Sequence, residues 1–256
     1  MSKEPHHMAF PTEDLRRSKC DREESGATMR TYVIGDIHGC FQEFVALLDL
    51  CSAHAAGKPA RLITLGDYVD RGPDSFRVVQ LIRHRLRNSY PGFASIMNLK
   101  GNHEFMMARA ALGGEPGDKE SWVSPDNGGD ATVESYPNIE LLRDDAAWLA
   151  ELPTSCEDAL RYYVHAGIRP GVRLKDQNDE DKLWIRRLFL KDRTPHEKYI
   201  VHGHTPVLKP DAQETRINID TAAVYGGRLT AAVFDGLQRK PVAILQVKAM
   251  KTAREH

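Results

Sequence analysis

The residues best suited to chemistry fall in five short segments, each of which follows an apolar stretch of the chain. The segments are GDIHG at 35–39, GDYVDRG at 66–72, GNHE at 101–104, VHAG at 164–167 and VHGHT at 201–205. Their Asp, His and Asn side chains offer the mixed oxygen and nitrogen ligands that suit Mn²⁺, Fe²⁺ or Zn²⁺. Asp36 and His38 are two positions apart, so in an extended segment they point to one side. The residue types therefore predict a site for divalent cations.

A carboxylate such as that of Asp67 could join two cations into one site. Two cations about 3.5–4 Å apart can clamp a phosphate group and lower the pKa of a shared water molecule toward neutrality. Glycines beside these side chains permit tight turns and close approach of the backbone. This combination of residues therefore indicates chemistry on a phosphate group with a cation-bound water.

In the first half of the chain, the sequence predicts alternating strands and helices, and these elements must position the polar segments. Short apolar runs predict strands, and apolar residues at helical spacing predict the helices between them. The strands are expected at 31–34, 61–65 and 94–99, and the helices at 41–48 and 76–86. This order predicts parallel strands joined by helical crossovers, and open sheets of this α/β class bind ligands at the strand ends.

The second half of the chain has a different pattern. Residues 112–138 are rich in Gly, Pro and Asp, which predicts a loop-rich insert near the active site. A helix over 139–151 and short strands of a second, antiparallel or mixed sheet should follow. These strands are expected at 162–164, 199–201, 216–219, 229–234 and 242–247. The Gly pair after Tyr225 predicts a hairpin turn.

The domain itself is expected at 29–250, between a disordered N-terminal tail at 1–28 and a C-terminal tail at 251–256. The 35 Lys and Arg residues nearly balance the 36 Asp and Glu residues, and a net charge of −1 argues against a general nucleic-acid binder. The chain has no apolar run of about 18 residues and no secretory signal. Its four cysteines form no C-x-x-C pair. We therefore expect a cytoplasmic protein with neither membrane nor nucleic acid as a partner.

The order GDIHG, GDYVDRG and GNHE, followed by two later histidine segments, resembles the phosphoprotein-phosphatase branch of the calcineurin-like metallophosphoesterases. The resemblance runs from about residue 31 to 234. Within the insert, Trp122, the NGG at 127–129, Thr132 and Tyr136 resemble bacterial members of this branch. The resemblance implies an α/β sandwich in which helices flank two central mixed β-sheets.

The resemblance also implies a set of ligands for two divalent cations, with Mn²⁺ as the first choice and Fe, Zn or Mg as alternatives. Asp36 and His38 would bind the first cation, and Asp67 would bridge both. The second cation would be held by Asn102, His165 and His204.

Catalytic roles carry over from the family in the same way. His103 would donate a proton to the leaving oxygen, and Asp70 would pair with it and raise its pKa. Arg71 would bind phosphate oxygens together with Asn102. A second phosphate-binding arginine is expected in a W-x-R segment, which favours Arg186 by spacing and leaves Arg187 as the alternative.

The resemblance implies a serine/threonine protein phosphatase acting on phosphorylated proteins or peptides, with small phosphate esters or nucleotides as further substrates. A symmetrical diadenosine tetraphosphate hydrolase or a broad-specificity phosphatase is the alternative. The dinucleotide enzymes typically have V-A-R-G where this chain has V-D-R-G with Asp70, which favours the protein phosphatase. An alternative from another class is a catalytically silent, metal-binding interaction protein. Within the insert, we expect Trp122 and Asn127 to pack the loop rather than contact substrate.

Overall fold

The computed structural model describes residues 29–236 and 238–249, so the tails expected at 1–28 and 251–256 lie outside the described residues. Two five-stranded sheets form the centre of the fold, with strand orders β10-β9-β1-β2-β3 and β4-β5-β6-β8-β7. This architecture confirms the predicted α/β fold with two mixed sheets flanked by helices. Among the described residues, no helix is both long enough and apolar enough to span a bilayer.

The first sheet contains the three strands predicted in the first half of the chain and two strands from its end. The assignment of the strands at 229–234 and 242–247 to the second sheet is therefore wrong, because these strands extend the first sheet. Its strands are β1 (Arg30–Ile34), β2 (Ala60–Thr64), β3 (Phe93–Asn98), β9 (Arg228–Phe234) and β10 (Ala243–Lys248). Strand β2 lies parallel to β1 and β3, whereas β9 pairs antiparallel with both β1 and β10. The parallel strands bring their carboxyl ends to one edge of the sheet.

The second sheet is also mixed. Its strands are β4 (Ser155–Glu157), β5 (Arg161–Val164), β6 (Tyr199–His202), β7 (Asp211–Ala212) and β8 (Arg216–Asn218). Strands β5, β6 and β8 are parallel neighbours, and β4 and β7 close the two edges in antiparallel pairing. The hairpin predicted after Tyr225 is wrong, because β8 and β9 belong to different sheets and a short 3₁₀ turn at Ala223–Tyr225 joins them.

Helices cover the outer faces of both sheets. The helices are α1 (Phe41–Ala55), α2 (Ser75–Gln80), α3 (Leu86–Ser89), α4 (Asn102–Leu112), α5 (Asp118–Trp122), α6 (Gly129–Ser135), α7 (Ile139–Ala150), α8 (Asp179–Trp184) and α9 (Arg187–Lys191). A π-type turn at Leu81–Arg85 joins α2 to α3, so the single predicted helix is irregular there. The stretch predicted to be a loop-rich insert contains the short helices α5 and α6.

The alternation of side chains along each strand separates the core into layers. On β1, Val33 faces the second sheet and packs with residues such as Tyr163 and Ile217, whereas Tyr32 faces the helical side with Phe44 of α1. The outer face of the second sheet buries a third cluster that includes Tyr162, Val164, Ile200 and Phe189. The two sheets therefore pack face to face, and this packing fixes the relative positions of their strand ends.

Candidate two-metal active site

Loops at the carboxyl ends of five strands bring the five polar segments together. Asp36 follows β1, Asp67 follows β2, Asn102 follows β3, His165 follows β5 and His204 follows β6. All five of these side chains are buried. Side chains from both sheets thus converge at one edge of the sandwich, as ligand sites do in open α/β folds.

The backbone of these loops is held in a strained conformation. His38, Asp67, Asp70, Arg71 and His204 all have positive φ angles, between 45° and 73°. Such angles are uncommon outside glycine and persist only where the surrounding structure holds them. Five of the seven non-glycine residues with positive φ among the described residues lie in the predicted segments, and strained backbone of this kind is concentrated at functional sites in proteins.

One glycine shows how closely two of these loops approach each other. A Cβ atom on Gly66 would lie 2.3 Å from the backbone nitrogen of Gly101, and Gly66 has a φ of 101°. Only glycine satisfies both the left-handed conformation and this close contact. The loops that carry Asp67 and Asn102 therefore depend on Gly66 for their proximity.

Two groups of potential ligands share the carboxylate of Asp67. His38 and His103 form one group with it, and His165 and His204 form the other, with the ligand atoms of each group within 4.8 Å of one another. The Nε2 atoms of His38 and His165 each lie 3.4 Å from a carboxylate oxygen of Asp67. This arrangement suits a carboxylate that bridges two cations.

The amide oxygen of Asn102 joins the second group. Its Oδ1 lies 2.8 Å from Nε2 of His165 and 2.9 Å from Nδ1 of His204. Asn102 is the first residue of α4, so its position is fixed by the helix. The structure thus brings Asn102, His165 and His204 together around one point.

Backbone carbonyls orient two of the histidines. Nδ1 of His38 lies 2.8 Å from the carbonyl oxygen of Val69, and Nδ1 of His165 lies 3.1 Å from that of Leu65. Because a carbonyl can only accept, Nδ1 of each ring carries a hydrogen, and the Nε2 atom of each ring lies on the side of Asp67. Burial lowers the pKa of His165 to about 4, which keeps its ring neutral at pH 7.

Asp36 lies close to the shared carboxylate but outside both compact groups. Its carboxylate accepts a hydrogen bond of 3.0 Å from the backbone nitrogen of His204. Burial raises the pKa of Asp36 well above its usual value, and the charges of Asp220 and Asp67 raise it further. Three buried carboxylates in such proximity fit divalent cations as their compensating charge.

Asp220 is a site residue to which the sequence assigned no role. It is buried, and burial raises its pKa, while the positive charges of His38 and Arg71 act in the opposite direction. It stands two residues after β8, so it occupies the same kind of strand-end position as Asp36. That position in the N-I-D-T segment was the signal that could have identified it.

Glu104 closes the GNHE segment and fixes the loop that carries Asp67. Its carboxylate accepts backbone hydrogen bonds from Asp67 and Tyr68 at 2.7 Å and from Gly101 at 2.8 Å. Burial raises the pKa of Glu104 to about 8, with a further contribution from the charge of Asp67. The sequence assigned no role to Glu104, and its contacts indicate that it positions the backbone.

Asp70 and His103 form the predicted pair. Nδ1 of His103 lies 2.6 Å from Oδ2 of Asp70, and both side chains are buried. The hydrogen bond and the charge of Asp70 raise the pKa of His103, as expected, but the net pKa of His103 is lowered. Burial lowers this pKa and outweighs the charges of Asp67 and Asp70, which raise it.

The insert supplies further hydrogen bonds to Asp70. Nε1 of Trp122 donates to both carboxylate oxygens at 3.0 Å, and Oγ1 of Thr132 donates to Oδ1 at 2.7 Å. Trp122 was expected only to pack the loop, and it is indeed buried, but its indole N–H also contacts the Asp70–His103 pair. This link spans 52 residues of sequence.

The NGG segment at 127–129 holds Trp122 and Arg71 in place. The backbone nitrogen of Arg71 donates to the carbonyl of Gly128 at 2.9 Å, and a Cβ on Gly128 would lie 2.9 Å from that same nitrogen. A Cβ on Gly129 would lie 2.7 Å from Nε1 of Trp122. Asn127 donates to the carbonyl of Ser121 at 2.9 Å, which closes the loop onto itself.

Two arginines flank the ligand groups, one on each side. Nη1 of Arg71 lies 2.6 Å from Nε2 of His38, and Nε of Arg186 donates to Nε2 of His204 at 2.9 Å. Arg187, the alternative candidate, begins α9. Of the two arginines in the W-x-R segment, Arg186 is thus placed beside the second ligand group.

The fold and the convergent ligand groups define a hydrolase of the metallophosphoesterase class. The family model described as calcineurin-like phosphoesterase matches residues 29–233. The chain belongs to this family of calcineurin-like phosphoesterases.

Several relatives share a name that refers to a nucleotide substrate. The chain is 29% identical over 233 residues to "Bis(5'-nucleosyl)-tetraphosphatase PrpE [asymmetrical]" of Bacillus thuringiensis, across 79% of this chain and 89% of the relative. It is 29% identical over 238 residues to the protein of the same name from Geobacillus thermodenitrificans, with the same coverage.

The similar solved structures include one named for a dinucleotide substrate and one named as a protein phosphatase. A structure described as that of a candidate diadenosine tetraphosphatase is 25% identical, with a TM-score of 0.62 over 88% of this chain and 96% of the other. A serine/threonine phosphatase from Saccharomyces cerevisiae is 16% identical, with a TM-score of 0.59 over 88% of this chain and 82% of the other, and shows the fold alone.

Proposed function

We propose that this protein is a metal-dependent hydrolase of dinucleoside tetraphosphates. The observation that carries the proposal is the pair of ligand groups that share Asp67, flanked by Arg71 and Arg186. The substrate class is supported by relatives with that printed name, which align over most of both chains.

The cation ligands of the proposal are those expected from the family resemblance. Asp36, His38 and Asp67 would hold one cation, and Asp67 would hold the second together with Asn102, His165 and His204. Bound there, two divalent cations would activate water and neutralise phosphate charge. We propose Mn²⁺ first and Fe, Zn or Mg as alternatives, because the ligands mix oxygen and nitrogen.

The chain's own residues would do the rest of the chemistry. Arg71 and Arg186 would grip phosphate oxygens, since a planar guanidinium matches two oxygens at once. His103 would donate a proton to the leaving oxygen, and Asp70 would keep its ring oriented. The resting pKa of His103 is low because of burial, and the negative charge of a bound phosphate would favour its protonated form.

A serine/threonine protein phosphatase is the second candidate, and one feature favours it. The segment V-D-R-G places Asp70 against His103, whereas dinucleotide enzymes typically have alanine at that position. A phosphoprotein partner and a cytoplasmic location stay predictions under either candidate.

The test compares kcat/KM for diadenosine tetraphosphate and for a phosphoserine peptide in the presence of Mn²⁺. The proposal expects the dinucleotide to be the better substrate by about tenfold or more, with AMP and ATP as the products of the asymmetrical cleavage that the relatives' name describes. A better rate on the peptide would overturn it in favour of the second candidate. Two molecules of ADP as products would point to the symmetrical reaction.

Inactivity must be separated from the wrong choice of substrate. Asp70→Asn and His103→Asn should each lower kcat by about 100-fold, a typical effect of losing proton transfer. Should the wild type hydrolyse neither substrate, nor p-nitrophenyl phosphate, with any of the four metals, the catalytically silent alternative would hold.

A further inference from the structure

Exposed aromatic rings are present beside the ligand groups. Among the described residues, the exposed Phe, Trp and Tyr residues are Phe105, Trp184 and Tyr225, with exposed fractions of 36%, 38% and 62%. Two of these three, Trp184 and Tyr225, contact residues of the site. An exposed aromatic ring next to phosphate-binding arginines is a surface on which a flat ligand group can stack.

Tyr225 lies on the Arg71 side of the site. The guanidinium carbon of Arg71 lies 5.7 Å from the centroid of its ring. A hydrogen bond fixes the start of the 3₁₀ turn that carries Tyr225. Oδ1 of the buried Asp220 accepts this hydrogen bond, of 3.0 Å, from the backbone of Ala222. The ring therefore extends from a fixed turn and keeps most of its surface free.

Trp184 lies next to His204, which belongs to the other ligand group. The two ring centroids are 6.4 Å apart and the planes are nearly perpendicular, at 86°. Trp184 is the last residue of α8, a helix capped by Asn178, whose side chain accepts from the backbone of Asp181 at 2.7 Å. The carbonyl of Lys182 also accepts a hydrogen bond of 2.8 Å from Ala166, which ties the helix to the loop after His165.

We infer that Tyr225 and Trp184 form two stacking sites for the nucleobases of a dinucleoside polyphosphate, one at each end of the phosphate-binding centre. The inference rests on the proposed function and adds how the nucleoside parts are recognised. Arg71 and Arg186 would bind the phosphates between the bases. Stacking on an aromatic face accepts any base, so these sites would favour nucleotides without selecting adenine over guanine.

The test measures the contribution of the nucleoside to binding, independently of turnover. The probes are α,β-methylene adenosine diphosphate and methylenediphosphonate, which present the same non-hydrolysable P–C–P group with and without a nucleoside. Calorimetry on the full chain with Mn²⁺ should show about tenfold tighter binding of the nucleotide, because each stacked base contributes on the order of 1–3 kcal/mol.

Substitutions then assign this preference to the rings. Tyr225→Ala and Trp184→Ala should each reduce the nucleotide-to-diphosphonate preference, and the double variant should abolish it. Tyr225→Phe and Trp184→Phe keep an aromatic face and should retain it. Phe105→Ala removes an exposed ring elsewhere and should leave both affinities unchanged.

Fluorescence offers a second readout, since a base stacked on Trp184 should quench its emission. Quenching by the nucleotide should be lost in Trp184→Phe, while Trp122 and Trp148 still emit. The inference is overturned if the wild type shows no preference for the nucleotide, or if the preference survives in both alanine variants. The proposed function fails separately, if the wild type binds the nucleotide with preference but does not hydrolyse diadenosine tetraphosphate.

Discussion

Replacing Trp122 with phenylalanine tests whether the insert acts on the catalytic pair or merely packs against it. Trp122→Phe keeps an aromatic ring in a buried position but removes the N–H that donates to Asp70 at 3.0 Å. Asp70 would keep the hydrogen bond from Thr132 and its contact with His103.

The size of the effect follows from the charge of the acceptor. A hydrogen bond to a charged group contributes about 1.5–3 kcal/mol, so its loss corresponds to about one to two powers of ten in rate if it appears wholly in the transition state. Because Thr132 still orients Asp70, we expect the lower end, about a tenfold decrease in kcat. KM should stay nearly constant, because the hydrogen bonds of the Trp122 indole go to Asp70 and not to Arg71 or Arg186.

The assay is steady-state hydrolysis with saturating Mn²⁺, accompanied by urea unfolding of each variant. Trp148→Phe is the matched control, because that indole lies on α7, with its ring 5.7 Å from the guanidinium carbon of Arg83. An unchanged kcat in Trp122→Phe, combined with a lower unfolding free energy, would show that Trp122 is only a packing residue and would refute the reasoning.

Three further predictions concern other parts of the fold. Gly128→Ala should lower the unfolding free energy by about 1–2 kcal/mol and reduce kcat, because it forces a side chain into a left-handed conformation against Arg71. Gly117→Ala, where the added Cβ meets open space, is its control, and equal losses of kcat in both variants would contradict the prediction. Burial would raise the pKa of Asp158, but donors from a neighbouring tyrosine and arginine hold it below its usual value. The ionised Asp158 carboxylate therefore contributes its full stabilisation above about pH 3.9, and this stabilisation is lost as the pH falls through the folded pKa. In urea titrations, Asp158→Asn should have a lower unfolding free energy than the wild type at pH 7. Below about pH 4, the unfolding free energy of the variant should decrease less steeply with falling pH. Asp36→Asn removes one of three buried carboxylates, so it should stabilise the metal-free protein by about 1 kcal/mol. The variant should also lose the increase in Tm that Mn²⁺ causes in the wild type. An increase in Tm equal to that of the wild type would contradict the role of Asp36 as a ligand.

The strand-end segments could be predicted because their signal is local. Apolar runs mark β1, β2 and β3, and the polar residues after them must lie at one edge once the strands are parallel. The same logic placed His165 and His204 after strands of the second sheet. The predicted ligands therefore converge without any long-range information beyond the strand order.

Other features depend on contacts that the sequence does not encode locally. The insert has no helical periodicity, so the hydrogen bond from Trp122 to Asp70 across the chain could not be predicted. The hairpin expected after Tyr225 failed because neighbouring strands in sequence joined different sheets. The pKa of His103 was expected to follow its nearest charge, whereas burial, which the sequence alone does not show, has the larger effect.

The most direct test of the central claim is anomalous diffraction from crystals grown with Mn²⁺. The account predicts two manganese peaks about 3.5–4 Å apart, with the carboxylate of Asp67 between them and His38 and His165 on opposite sides. A single peak away from Asp67, or no peak at saturating Mn²⁺ in protein that still hydrolyses phosphate esters, would contradict it.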